Sequence, residues 1–333
     1  MKILHYLLYS LVFLFCSYNL KGQNKIDIYV SAHADDWQLF MNPNAYTDVK
    51  SSDHKVVFIH ITAGDAGAGI GYNNYYLARE EGSLRALRFM SNTFTSGAGL
   101  GTDMNENNVT INGHQILKYS YRNIVAYFLR LPDGNLNGSG YTSTGNESVQ
   151  RLYNGLISSI SAVDGSTTYN SITDFTNTMQ SLVELEANGS QLITFNIADD
   201  DASINPGDHS DHIYSSKIFQ DVANSIGDVE MNLYSEYHTS ERPQNIFEND
   251  YLVSAATWGV TASGLSDNFH YSTWDGTHNA WIGKQYYRVV HTDNNPETTP
   301  NIALNKPSSA SSYEPNSGSS EANDGNYSAS NNY

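Results

Sequence analysis

Cysteine occurs once in the 333 residues, at position 16, inside an apolar stretch near the start of the chain. With that stretch removed, no thiol remains. Disulfides, thiolate metal sites and a cysteine nucleophile are then excluded. Basic residues are scarce as well: 17 Lys and Arg stand against 35 Asp and Glu, a net charge of −18. Loss of Lys2 and Lys21 with the leader leaves 15 against 35, or −20. A chain this acidic makes a poor partner for nucleic acid or an anionic membrane surface. No run of apolar residues is long enough for a stable membrane span. The longest, residues 3–16 behind Lys2, has the length of a signal-peptide core. Residues 1–23 therefore read as a secretory signal, and the expected location is secreted, periplasmic or at the cell surface. Phe15 is too bulky for the usual lipobox, which leaves a lipid anchor at Cys16 as the lesser alternative.

What is present starts with residues 26–37, IDIYVSAHADDW. Ile26, Ile28 and Val30 mark a strand. At its carboxyl end, where α/β sheets bind their ligands, come His33, Asp35 and Asp36. Some 170 residues downstream stands a second cluster, His209-Ser210-Asp211-His212. It follows the apolar strand 191–197 (QLITFNI) and opens a helix over 210–226 with Ile218, Phe219, Val222 and Ala223 inward.

Between the two clusters, His54–Thr62 (HKVVFIHIT) reads as a central parallel strand. It runs into AGDAGAG (63–69), a tight turn that has neither GxGxxG nor GxxxxGK spacing. An amphipathic helix over 73–90 follows, with Leu77, Ala78, Leu84 and Leu87 on one face. Residues 94–113 read as irregular, 124–131 (IVAYFLRL) as a strand ending in the turn Pro132-Asp133-Gly134. Helices are predicted over 149–160 and 172–187, a strand over 229–237 and a helix over 249–265. Strands alternating with helices predict an α/β three-layer fold with a mostly parallel sheet. His60, inside its strand, reads as a core histidine. His238 could approach the cleft, and His270 and His278 lie in an aromatic-rich stretch with Trp274 and Trp281 that could line a sugar site. The many Tyr, Asn, Ser and Thr suit a protein that handles neutral polar ligands such as sugars.

Chemically, two imidazoles and one carboxylate satisfy the three protein ligands of a catalytic zinc site, leaving a position for water. An unligated carboxylate can take the proton from that water, and a spare histidine can stabilise what forms.

AHADDW resembles the AHPDDE signature of the PIG-L or LmbE-like zinc deacetylases, and HSDH resembles their HPDH signature. The TAGDAG turn, the Arg-Glu-Glu helix and the LPDG turn are similar too, so the likeness spans about residues 24–290. The resemblance implies a Rossmann-like three-layer sandwich that removes the N-acetyl group from N-acetylglucosamine-type sugars with Zn2+ or another divalent metal. It implies His33, Asp36 and His212 as metal ligands, Asp35 as general base and His209 as the group that stabilises the oxyanion and helps the amine leave. Asp211 is implied to accept from a histidine N–H or to orient the helix start, and Arg79 and Asp133 to contact the sugar. Three positions depart from the pattern: Ala34 replaces proline, Trp37 replaces the last glutamate, and Gly207 stands where relatives place a tyrosine. Residues 291–300 read as a linker, and 301–333 (NIALNKP, ANDGNY) resemble the start of a discoidin, or F5/8 type C, domain that is too short to be complete. Two other functions remain open: a non-catalytic glycan-binding protein with a structural metal, and a metal-dependent esterase or phosphoesterase on the same fold.

Overall fold

The structure is a computed structural model that describes residues 24–71, 74–94, 104–190 and 192–292. The expected leader at 1–23 and the discoidin-like segment at 301–333 lie outside the described residues, as does most of the expected linker. The described residues all fall within one unit that ends at Thr292.

The strand at the start of the described chain is β1 (Lys25–Ser31). Ile26, Ile28 and Val30 face one core, while Tyr29 faces another on the opposite side of the sheet. A strand buried on both faces must carry apolar residues in both registers, and β1 and β2 (His54–Thr62) do so along most of their length. The other strands are β3 (Asn105–Ile111), β4 (His114–Tyr121), β5 (Ile124–Leu131), β6 (Ile160–Ser161), β7 (Thr168–Tyr169), β8 (Leu192–Ala198), β9 (Val229–Ser235) and β10 (Tyr286–His291). Eight of them form one sheet in the order β10-β9-β8-β1-β2-β5-β4-β3, and β6 pairs with β7 separately. The central pairings β9-β8, β8-β1, β1-β2 and β2-β5 are parallel. The flanking ones, β10-β9, β5-β4 and β4-β3, are antiparallel.

Helices α1 (Asp36–Phe40), α2 (Asn44–Lys50), α3 (Tyr75–Thr93) and α7 (Glu248–Asp267) cover one face. Helices α4 (Val149–Tyr153), α5 (Ile172–Glu186) and α6 (Ser210–Ile226) cover the other. The result is a three-layer, Rossmann-like α/β sandwich with a mixed, mostly parallel sheet. Helices α3 and α7 cross at Gly82 and Gly264. A methyl group on Gly82 would lie 2.6 Å from the Thr261 carbonyl oxygen, and one on Gly264 2.4 Å from the Gly82 nitrogen. Only glycine permits that approach. Among the described residues no helix is long and apolar enough to cross a membrane.

Several boundaries differ from the sequence expectation. The segment read as irregular contains β3, and β3 to β5 form an antiparallel meander at the sheet edge. The helix expected over 149–160 stops at Tyr153, because Gly155 turns the chain with φ +68° and Ile160 enters the β6-β7 hairpin.

Chain order within the sheet decides where ligands bind. From β1 the chain runs outward through β2 to β5 on one side and later returns through β8 to β9 on the other. The crevice at such a switch point lies above the carboxyl ends of β1 and β8.

Candidate metal centre

The loops after all five parallel strands reach this crevice. After β1 come His33, Asp35 and Asp36, the last opening α1. The turn after β2 brings Gly64 against His33, where an added Cβ would sit 3.2 Å from the imidazole Cδ2 and 2.4 Å from an Arg79 nitrogen. Gly64 also has φ +55°, so glycine is needed there twice over. After β5 stands Asp133; after β8 the loop ends in Asp208 and His209, which caps α6; after β9 come Glu236 and Tyr237.

Three donor atoms form a nearly regular triangle. His33 Nδ1 lies 3.2 Å from His212 Nε2 and 3.5 Å from Asp36 Oδ1, and His212 Nε2 lies 3.4 Å from Asp36 Oδ1. Zn–N and Zn–O bonds of about 2.0–2.1 Å in a tetrahedron need ligand-to-ligand edges of roughly 3.3–3.4 Å. The residues present therefore fit a divalent ion. His33, His209 and His212 also offer ligand atoms within a wider 4.8 Å of one another. His209 differs in one respect: its Nδ1 accepts the Asp211 backbone N–H at 3.1 Å. Its neutral ring accordingly carries its proton on Nε2.

The far side of each ring in the triangle faces carboxylates as well. His33 Nε2 lies 3.4 Å from Asp211 Oδ2, and the other demand on that oxygen is the Gly134 N–H at 2.8 Å. Asp211 thus lies beside a histidine nitrogen and in the first turn of α6. His212 Nδ1 meets two carboxylates, Asp208 Oδ1 at 2.9 Å and Glu236 Oε2 at 2.5 Å. Carboxylates behind ligating imidazoles fix the tautomer and raise ring basicity.

The electrostatics follow from this crowding. Burial opposes charge on His33, yet Asp36, Asp211 and Asp133 outweigh it and raise the ring to about 10. His212 is raised well above the usual imidazole value, again against burial, by Glu236, Asp208 and Asp36. Burial would push Asp36 up, but the two rings hold it well below the usual carboxylate range. Glu236 is pushed up to about 8, chiefly by burial. His209 behaves oppositely. Burial first, then the positive His33 and His212, lower it to about 2. These groups together favour positive charge inside the triangle and a neutral imidazole beside it.

His33, Asp35, Asp36, Arg79, Asp133, His209, Asp211 and His212 all lie in or beside the cluster, though not all face it as expected. Asp35 is buried, and its Oδ1 pairs with an Arg79 guanidinium nitrogen. The other Arg79 nitrogen donates to the Gly64 carbonyl at 2.6 Å, and the guanidinium lies 5.8 Å from the Tyr75 ring centre. Arg79 is thus braced against Asp35 and the turn. Asp133 is buried too, its oxygens accepting from Ala66 and Asn135 N–H at 3.2 and 2.8 Å while lying 3.9 Å from His33 Nε2 and His209 Nε2. His60 is a core residue, held by Tyr127 O and Ser83 Oγ and stacked on Phe128. Burial lowers it to about 4.

Asp208, Glu236 and Tyr237 are additions from the structure. Asp208 sits four residues before His212, a helical spacing visible in the sequence. Glu236 had been absorbed into a strand, which ends at Ser235 so that its carboxylate turns onto His212. Tyr237, next to the His238 expected to reach the cleft, meets the His212 ring edge-on with centres 5.0 Å apart. His238 instead faces Glu241 at 3.6 Å.

No protein-family profile and no curated protein matches the chain. Among solved structures it is similar to the zinc-inhibited form of teicoplanin deacetylase Orf2, with 11% identity and a TM-score of 0.43 over 81% of this chain and 100% of that one.

Proposed function

We propose that the chain is a zinc-dependent deacetylase that hydrolyses the N-acetyl group of an amino sugar or glycan. The observation that carries this reading is the triangle of His33 Nδ1, Asp36 Oδ1 and His212 Nε2, flanked by a carboxylate and a neutral imidazole outside it. His33, Asp36 and His212 would hold the ion. Zinc, or another divalent metal that accepts nitrogen and oxygen ligands, supplies Lewis-acid activation of water and of the amide carbonyl.

The remaining steps belong to the protein. Arg79 fixes one oxygen of Asp35 and leaves Oδ2 to take a proton from the attacking water. Water oxygen bonds to the acetyl carbon, the C–N bond breaks, and Asp35 returns the proton to the departing amine. Acetate and a free amine result, and Asp35 is restored. His209 donates its Nε2 proton in a hydrogen bond to the carbonyl oxygen as negative charge develops there. Asp133, held by two backbone N–H groups, would accept from a sugar hydroxyl. For Arg79 the reading shifts from sugar contact to orienting Asp35. The leader-like run at 1–23 fits export, which would place the substrate among extracellular or cell-surface sugars.

Asp35→Asn tests the mechanism. Acetate release from N-acetylglucosamine oligomers should fall by about 10²–10⁴-fold while bound zinc, measured by mass spectrometry, stays stoichiometric. Full activity in that variant overturns the role of Asp35. Released phosphate without acetate would point to a phosphoesterase, and sugar affinity without turnover to a binding protein.

A further inference from the structure

The segment that follows α7, residues 268–283 (NFHYSTWDGTHNAWIG), carries Phe269, Tyr271, Trp274 and Trp281 together with His270 and His278. Three of these rings face water: Phe269 is 91% exposed, Tyr271 97% and Trp274 48%. Several large aromatic side chains exposed within six residues of chain mark a binding site more often than isolated ones do.

The segment is braced. The backbone N–H of His270 donates to Leu265 O at 3.0 Å, and Trp274 packs against α7 at Gly259, where an added Cβ would lie 3.6 Å from the ring. Asp275 accepts from the backbone N–H of Thr277 and His278 and faces His278 Nδ1 at 2.9 Å. His278 stacks on the buried Trp258 with centres 5.6 Å apart. The exposed rings are therefore presented on an ordered scaffold, so that a ligand would meet them with little ordering cost.

Two lines of contact join this segment to the metal centre. Trp281 stacks on Tyr237 at 5.3 Å, and Tyr237 meets His212. From the other end, His270 meets the Tyr75 ring at 5.1 Å; Arg79 lies over Tyr75 and pairs with Asp35. One segment thus reaches both flanks of the candidate site through one tyrosine on each side, Tyr237 toward His212 and Tyr75 toward Arg79.

We infer that residues 269–281 form an accessory surface for neutral sugar units, so that the substrate is a glycan chain rather than a single sugar. Apolar C–H faces of pyranose rings lie flat on aromatic rings, and the interleaved exposed Ser272 and Thr277 offer hydroxyls to the sugar edges. Charge selects neutral chains. The segment has no Lys or Arg and a single Asp275, in a chain of net charge −18. Sulfated or uronate-rich polymers and anionic lipid headgroups would find no counter-charge there. A second copy of the chain is disfavoured by area. Three aromatic side chains offer at most roughly 450–750 Å², below the ~800 Å² per partner of a stable interface. This inference rests on the deacetylase reading for which sugar unit enters the metal centre, but not for the surface itself.

The test uses the zinc-loaded chain and β-1,4- and β-1,6-linked N-acetylglucosamine oligomers of one to six units. Binding is followed by calorimetry and tryptophan fluorescence, and acetate release is measured in parallel. Affinity should rise about tenfold or more from one unit to four. Phe269→Ala with Tyr271→Ala removes two rings that carry almost no packing, and should abolish the rise; Trp274→Ala should weaken it. The control Leu156→Ala, at an exposed position outside the segment, should leave the rise intact. Equal affinity for one and four units, or an unchanged rise in the double variant, overturns the inference. So does an effect of that variant on sedimentation or on phosphatidylcholine vesicle binding in place of an effect on sugar. Length-dependent binding without acetate release would remove the deacetylase reading and leave the surface standing. Acetate release with no length dependence would do the reverse.

Discussion

The two ends of the parallel strands carry nearly the same side chains and put them to different use. At the amino end, Asp27 of β1 lies 2.6 Å from His54 Nδ1 and 2.8 Å from Lys25 Nζ, with Asp48 3.6 Å from the same histidine nitrogen and accepting from Tyr29. Asp27, Asp48 and His54 bring ligand atoms within 4.8 Å, as do the histidines at the carboxyl end. Ligand proximity does not separate the two ends. Charge balance does. At the amino end a lysine and a histidine answer two carboxylates. At the carboxyl end Asp36, Asp133, Asp208, Asp211 and Glu236 form ion pairs, among the described residues, with imidazoles alone. The site's arginine is turned to Asp35. Buried carboxylates in excess of fixed cations are what a divalent ion would compensate, and a lysine in the cluster makes an ion redundant.

The largest effect that could break this comparison is on metal affinity. Asp36→Asn should weaken zinc binding at least ~100-fold in chelator competition, while Asp27→Asn leaves it unchanged. Loss of zinc from the Asp27 variant would erase the distinction. Stability should respond at both ends. In metal-free protein, Asp27→Ala should cost about 3 kcal/mol in urea unfolding, because it strands Lys25 and His54. Asp36→Asn should cost stability as well, since it removes the negative charge that the His33 and His212 rings hold ionised.

A smaller effect sharpens the carboxyl end. Glu236→Gln should lower zinc affinity about tenfold with an unchanged circular dichroism spectrum, since an amide keeps the shape but cannot accept the His212 Nδ1 proton or take on the charge that would back a bound ion. An unchanged affinity would mean that Asp208 alone holds the ring.

The smallest concerns pH. Burial, then the neighbouring Asp27, raise Asp48 to about 6, against Tyr29, Lys25 and His54, which favour its ionised form. A carboxyl whose pKa is higher folded than unfolded stabilises the fold below the unfolded value. That contribution is lost as pH rises from about 4 through 6. Asp48→Asn should remove a decline on the order of 1 kcal/mol over this window, read from urea midpoints between pH 4 and 7.

Short-range chemistry was legible in the sequence. His33, Asp35 and Asp36 follow an apolar strand directly, and His209, Asp211 and His212 open a helix whose bounds, Ser210–Ile226, agree with its apolar spacing. Strands β1, β2, β5 and β8 were legible for the same reason: each is mostly buried and mostly apolar in both registers. The β3-β4 hairpin was not, because edge strands need few apolar residues and NENNVTI has the composition of a loop. Glu236 was hidden by a two-residue difference in where β9 ends. Periodicity places a strand well and its last residue poorly.

From the order of residues alone came the two polar clusters, the alternation of strand and helix that sends both to one edge of a sheet, and the scarcity of thiols, a single cysteine far from both clusters in sequence, that points any metal to nitrogen and oxygen ligands. Tertiary structure decided which nitrogen of each histidine faces the triangle, that Asp208 and Glu236 stand behind His212, and that Arg79 holds Asp35. The physical reason is separation along the chain. A motif records neighbours a few bonds apart, whereas ring orientation and charge balance depend on side chains that five different strands bring within hydrogen-bonding distance.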